Sequence, residues 1–552
     1  MRARTPSVAS ALLVLATIGL ACGRDGRGDR PGTELRIALA ALPTTLDWNR
    51  GHATSWSNYP VLQAMMRGLV SVDGRNEVAP DLAQFWEVRT LPGPDRKPEY
   101  TFHLRGDVVW SDGVTPLTAQ DFVVGVRRAL VGAEGSDLSD LDGAAAVIAA
   151  VKDGDLARAE ALARAVAVEA VDERTLRVRL AGPRAYFLAR VAGLYTWFPA
   201  PSRALARLSP EEIARYFDEP ADGRPLVLGP YRVASWDRLA QVIRLERNPS
   251  YRGRAPVDRL VLVTSPLAEL LYDRGKIAFL LFDDPAALSR PPPDLQRQEL
   301  LSTYWLGINA ETVPLPLRQA IARAIDRGRL LQGVLPRARP AFGFLPDDLP
   351  GAVHDGDPRA ARFPRYDPAA ARALARRAGY DGRELTLLVR GTQTFLPERG
   401  IADALRRQLA EVGIRVRYQA SRDFVEDLAR PDGSIRPDLF LRRIGADYAH
   451  PETFFSIFEP GGNHFTALQR ADPPGYGALQ AVLQRGAAEL DPERSRTLYA
   501  EAQETILERS AVVVPLFYPD RYFRRASGVE GLRVDPFNFL TFRDLQIAGG
   551  PR

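Results

Sequence analysis

Arg442, Arg443, Asp447 and Glu452 fall within one short stretch of a chain of 552 residues. Two carboxylates that close can divide general-acid and general-base work between them. A guanidinium can grip a carboxylate through two parallel hydrogen bonds. The same residues also fit plainer tasks: Asp447 could cap the turn ahead of Pro451, Arg442 and Arg443 could sit in surface ion pairs, and acids are common enough to fall together by chance. The five histidines, His52, His103, His354, His450 and His464, lack the close spacing that metal sites need. No Walker-type phosphate loop, G-x-S-x-G elbow or H-E-x-x-H helix occurs. The chemistry on offer therefore points to binding more than to catalysis, with no metal and no cofactor expected.

Holding such groups in place requires a framework, and the hydrophobic pattern supplies one. Residues 35–39 (LRIAL) read as a buried strand, and Val61, Leu62, Met65, Met66 and Leu69 predict a helix over 59–72 with Gly68 near its end. Residues 100–104 (YTFHL) alternate as a strand does, which makes His103 a structural or solvent-facing residue. Asp112-Gly113 predicts a tight turn. Thr118 and Asp121 predict the cap of a helix over 122–130. Residues 133–170 are rich in Ala, Asp and Gly with helical stretches, and 175–180 (TLRVRL) form another alternating strand. Strands alternating with helices imply α/β layers with a ligand crevice between lobes.

The single cysteine, Cys22, ends an uncharged run over 9–21 that follows Arg2 and Arg4. The run is too short to span ~30 Å of hydrocarbon and has the anatomy of a secretory signal. Residues 23–32 (GRDGRGDRPG) offer almost nothing to bury and read as a flexible tether. One cysteine rules out an internal disulfide. The formal net charge of +5 falls to +3 without the two leader arginines, 71 basic against 68 acidic side chains, which argues against a nucleic-acid partner. Lys97, Lys152 and Lys276 are the only lysines, so the basic residues are almost all arginine. No other apolar run approaches ~20 residues, so the body is expected to be soluble and extracytoplasmic.

Leu20-Ala21-Cys22 resembles the lipobox of bacterial lipoproteins, with Gly19 where that family usually carries Leu, Val or Ile. The resemblance implies a lipidated Cys22 as the mature N-terminus and a membrane anchor. A second resemblance covers nearly the whole remaining chain. Pro80-Asp81-Leu82-Ala83, Trp86, Trp110-Ser111-Asp112-Gly113, Pro116-Leu117-Thr118-Ala119 and Asp121-Phe122 are similar to the signature segment of family 5 extracellular solute-binding proteins, the oligopeptide- and dipeptide-binding components of ABC importers. Leu228-Gly229-Pro230-Tyr231 with Arg247-Asn248-Pro249 follows in order. Then come Leu317-Arg318-Gln319-Ala320-Ile321 with Ala324-Ile325-Asp326-Arg327, Tyr366-Asp367-Pro368, Gly413-Ile414 and Pro515-Leu516.

The family implies an α/β, periplasmic-binding-protein type II-like fold: two lobes, three discontinuous domains and a hinged cleft. Mapped here, residues 1–21 form the signal and 22–34 the lipidated tether. Domain I takes 35–54, 183–300 and 512–547, domain II 55–182, and domain III 301–511. The stretch Ile444-Gly445-Ala446-Asp447-Tyr448-Ala449-His450-Pro451 resembles the family loop whose aspartate pairs with the α-amino group of a bound peptide, with Ile444 in place of the usual tryptophan. Gly445, Ala446 and Tyr448 belong to that loop. Arg443 or its neighbour Arg442 would meet a ligand carboxylate, Tyr304, Trp305 and Asn309 would border the cleft, and Trp56, just ahead of the first helix, is a comparable candidate for ligand contact. Adjacent residues on a strand point to opposite faces, so Tyr304 and Trp305 cannot both meet a ligand.

The partners implied are a peptide or other small solute and a permease with its ATPase, for a monomer in the periplasm or on the cell surface. Other ligands of such folds, namely nickel complexes, haem, sugars and opines, stay open, as do a sensory receptor and a hydrolase using Asp447 and Glu452.

Overall fold

The computed structural model describes residues 33–50, 58–73, 77–93, 95–132, 135–221, 223–253, 255–282, 291–335, 337–349, 351–391, 397–428, 434–458, 466–542 and 545–548. Cys22 with its leader, and Trp56, lie outside the described residues.

Three larger sheets carry the architecture. The first has seven strands, in the order Leu295–Glu299, Asp520–Arg525, Phe279–Phe282, Glu34–Ala38, Arg259–Val263, Val242–Arg247 and Tyr231–Asp237. Glu34–Ala38 is central and runs parallel to both neighbours. Leu35, Ile37 and Ala38 are buried, while Glu34 and Arg36 pair with each other at 2.8 Å nearer the surface. The second sheet is antiparallel, in the order Ala83–Thr90, Pro98–Leu104, Thr175–Arg179 and Val168–Ala170. Tyr100, Phe102 and Leu104 point inward with Leu176 and Val178, while His103 on the other face stacks on the exposed Phe85 with ring centroids 4.3 Å apart. These two sheets share one hydrophobic core and form the first lobe.

The second lobe is built on a six-stranded sheet, Arg339–Pro340, Val513–Tyr518, Ser302–Ile308, Leu439–Gly445, Leu385–Arg390 and Val416–Ser421 in spatial order. Its two faces are covered by separate clusters, one holding Trp305, Phe344 and Phe440, the other Tyr304, Leu306, Leu441 and Phe517. Burial on both faces is why the central strands Ser302–Ile308 and Val513–Tyr518 are buried along their whole length rather than alternating.

The local signals map onto elements. Asp112 Oδ1 accepts from the amides of Val114 (3.1 Å) and Thr115 (3.0 Å), and Gly113 takes the left-handed φ of +78° that closes the turn. The helix Ala119–Leu130 starts on Thr118, whose amide donates to Asp121 Oδ2 at 2.8 Å.

Two expectations change. The helix expected over 59–72 is Asn58–Met65, and Val70–Val72 pairs instead with Val78–Pro80. The Met65 carbonyl accepts from the amides of Leu228 (3.1 Å) and Gly229 (2.7 Å), so a distant loop takes the group that another turn of helix would use. The domain boundary expected at 512 also moves. Val513–Tyr518 pairs with Ser302–Ile308 and Arg339–Pro340 in the second lobe, because all six of its residues are buried between that lobe's two clusters. The chain returns to the first lobe at Pro519, directly before Asp520–Arg525. Its other crossing lies between Glu299 and Ser302.

Candidate functional site

Strand Leu439–Gly445 runs antiparallel to Ser302–Ile308 and sets Gly445 opposite Ser302, at the crossing between the lobes. Just beyond, the Ala446 amide donates to Leu301 O at 2.8 Å, so the loop holding Asp447 begins at the hinge. Ala446 is buried, Asp447 is exposed and Tyr448 is buried. The Asp447 amide donates to Thr453 Oγ1 at 3.2 Å.

The first lobe meets this loop with the helix Phe187–Gly193. A methyl group on Gly193 would lie 2.5 Å from the Asp447 carbonyl oxygen and 3.2 Å from Tyr448 Cβ, so only glycine allows this approach. Tyr59 Oη donates to Gly193 O at 3.1 Å. A cavity of about 420 Å³ opens there, and Asp447 and Tyr448 share its wall with Tyr59, Gly193, Phe198 and Phe539 of the first lobe. That size is within the ~300–1,000 Å³ range of small-molecule sites.

Behind the cavity lies a buried polar network. Arg190 donates from Nη1 to Asp140 Oδ2 at 2.7 Å, from Nε and Nη2 to Tyr448 Oη at 3.1 and 2.9 Å, and from Nη2 to Glu452 Oε1 at 3.2 Å. Tyr448 Oη donates to Glu452 Oε2. Asp140 Oδ1 accepts from Arg184 Nε at 2.8 Å and Tyr186 Oη at 3.0 Å. Burial alone would lower the Arg190 guanidinium, but the facing Tyr448, Glu452 and Asp140 outweigh it and hold it well above its ordinary value. Burial raises the Glu452 carboxyl, and Arg190 and Tyr448 pull it back only in part. His450, packed on Tyr186 at 5.2 Å, is pushed down to about 3, by burial first and then by the charge of Arg190.

The residues singled out in the sequence are dispersed. Arg443 is partly buried, donates from Nη1 to Ser302 Oγ at 3.1 Å, and is lowered to about 10 by burial and by Arg521. Arg442 lies over the Phe424 ring at 5.8 Å and is also lowered to about 10, by burial and then Arg390. Tyr304, Trp305 and Asn309 do not border the cavity. Tyr304 stacks on Phe517 at 4.9 Å, and Trp305 meets Phe440 edge-on at 5.5 Å on the opposite face of the strand. Asn309 is fully buried and clamps a loop, donating from Nδ2 to Ile435 O at 3.0 Å and Pro437 O at 3.2 Å. The strand is sandwiched, so both of its faces go to packing.

Asp447 and Glu452 do not form an acid pair in one cavity, since Glu452 is sealed beneath Tyr448 and Arg190. Arg190 itself escaped the sequence reading. Its one signal was a charge set among Phe187, Leu188 and Val191 on a short apolar helix.

Residues 77–465 match the family model described as bacterial extracellular solute-binding proteins, family 5 Middle. Among curated proteins, the chain is 30% identical to Di/tripeptide-binding protein 4 of Pseudomonas aeruginosa, covering 85% of this chain and 87% of that protein. It is 29% identical to the probable deoxycholate-binding periplasmic protein YgiS of Escherichia coli, with 82% of each covered. The fold superposes on a periplasmic oligopeptide-binding protein of Borrelia burgdorferi with a TM-score of 0.72 at 22% identity, over 93% of this chain and 100% of that one. On the Escherichia coli murein tripeptide binding protein MppA the TM-score is 0.71 at 21% identity, over 94% and 99%. The two-lobed α/β fold, the loop at its hinge and the span of the family match lead to one assignment: the chain belongs to the bacterial extracellular solute-binding proteins of family 5.

Proposed function

We propose that this protein captures peptides between its lobes and delivers them to the permease and ATPase of an ABC importer, with Asp447 pairing the ligand's α-amino group. The observation that carries the reading is the exposed carboxylate of Asp447 on the wall of an interlobe cavity. A closing cleft strips water from an ammonium group, and an isolated charge there is costly, so a carboxylate has to meet it. Peptide names among the relatives support the same reading. The protein acts as a binding protein without turnover, in keeping with its family and with the separation of Asp447 from Glu452. It works outside the cytoplasm as a monomer, anchored through a lipid on Cys22. Its three domains follow the mapping given above, with the last segment of domain I starting at 519.

A second reading has one observation in its favour. Tyr59, Met66, Phe198 and Phe539 give the cavity an aromatic and apolar wall that suits a compact hydrophobic solute, and one relative is named for deoxycholate binding.

Native mass spectrometry of the chain from Gly23, expressed without Cys22 and purified gently, tests both. A ladder of added masses matching short peptides, absent from Asp447→Ala, is the expected result. One discrete non-peptide mass would overturn the peptide reading and identify the other ligand.

A further inference from the structure

The buried network behind the cavity is shared between the lobes. Asp140, Arg184, Tyr186 and Arg190 come from the first, and Tyr448 and Glu452 from the second. We propose that Arg190 is a positioning residue for ligand capture: from the first lobe its guanidinium fixes Tyr448, and through it the adjoining Asp447, when the lobes shut, so that closure completes the anchor. This rests on the role of Asp447 proposed above.

The geometry supports it in three ways. All three guanidinium nitrogens are engaged, Nη1 on Asp140 and Nε with Nη2 on Tyr448, so the planar fork sets the phenol's position rather than merely balancing charge. Each lobe also keeps a pair of its own. Arg190 with Asp140 lies wholly in the first lobe and Tyr448 with Glu452 wholly in the second, so parting the lobes leaves each charged group a hydrogen-bonded partner within its own lobe. A contact that joins two self-satisfied halves can be made and broken reversibly. Finally, Arg190 and Gly193 lie three residues apart on one helix and so share a face. One grips the Tyr448 hydroxyl while the other admits the Asp447 carbonyl. A single rigid helix thus contacts both residues of the anchor loop.

The test uses the mature chain and its Arg190→Gln, Arg190→Lys and Tyr448→Phe variants. Small-angle scattering of each protein as purified reads the closed fraction, and calorimetry with tri-alanine reads affinity. Arg190→Gln is expected to enlarge the radius of gyration and to raise the tri-alanine Kd roughly tenfold or more. Tyr448→Phe should do likewise, and the double variant should add little to either, because both remove one contact. Arg190→Lys keeps the charge but not the fork and is expected to stay open-shifted.

An unchanged radius, additive losses in the double variant, or full recovery with lysine would overturn the proposal. Should Arg190→Gln fail to fold, Tyr448→Phe supplies the same two readouts. A wild type that takes no tri-alanine would count against the peptide reading, while scattering would still decide the role of Arg190.

Discussion

Asp447, in a loop, and Glu452, at the start of the helix that follows it, carry the same functional group, yet their surroundings assign them opposite tasks. Asp447 faces a cavity and is exposed, whereas Glu452 is 5% exposed and meets Arg190 and Tyr448. An acid on a cavity wall can be reached by a ligand. An acid buried beneath the two donors it holds is out of a ligand's reach, and its bonds join the lobes. Proximity in sequence says little about which of these an acidic residue will do.

The contrast is sharpest in what each acid supports. Asp447→Ala should cost about 3–5 kcal/mol of ligand affinity, because the ligand's ammonium is left unpaired in the closed cleft, with little change in the urea unfolding midpoint. Glu452→Gln should do the reverse in kind, lowering the unfolding free energy by about 1–3 kcal/mol as buried donors lose a charged acceptor. Equal destabilisation by both variants in urea titrations would erase the distinction.

The pH dependence sharpens it further. His450, beside Glu452, is held neutral with a folded value of about 3 against an ordinary 6.5. The unfolded chain therefore binds a proton that the folded chain refuses between those values. Stability contributed by His450 is complete above pH 6.5 and falls as the pH drops toward 3, with a slope of up to about 1.4 kcal/mol per pH unit. His450→Gln should flatten that part of the stability profile relative to the wild type, and parallel profiles would show that the histidine is not buried as described. The smallest effect belongs to an exposed pair. Arg252 meets Asp107 at 2.8 Å on the surface, and Arg252→Gln should change stability by less than about 1 kcal/mol. A larger loss would mean that exposure is a poor guide to what an arginine contributes here.

How far the sequence could be read follows the range of the interactions. Asp112-Gly113 and Thr118 with Asp121 were legible because their partners lie within a few residues. The family motifs were legible as an ordered set, and with them the two-lobed fold. The helix end at Met65 was not, since residues 228 and 229 decide it. Nor was the full burial of both Tyr304 and Trp305, because nothing local reveals that both faces of their strand are covered. Arg190 is the extreme case: its bond to Tyr448 spans 258 positions. A helical arginine without its partner in view looks like any other in a chain whose basic residues are almost all arginine.

The two lobes also share their dependence on the end of the chain. Val513–Tyr518 lies inside the second lobe's sheet, and Asp520–Arg525, one residue later, joins two strands of the first. Neither sheet can be completed until these adjacent strands exist. During synthesis both lobes therefore wait on the same late segment, and one cut between them and the rest of the chain would leave both unfinished at once.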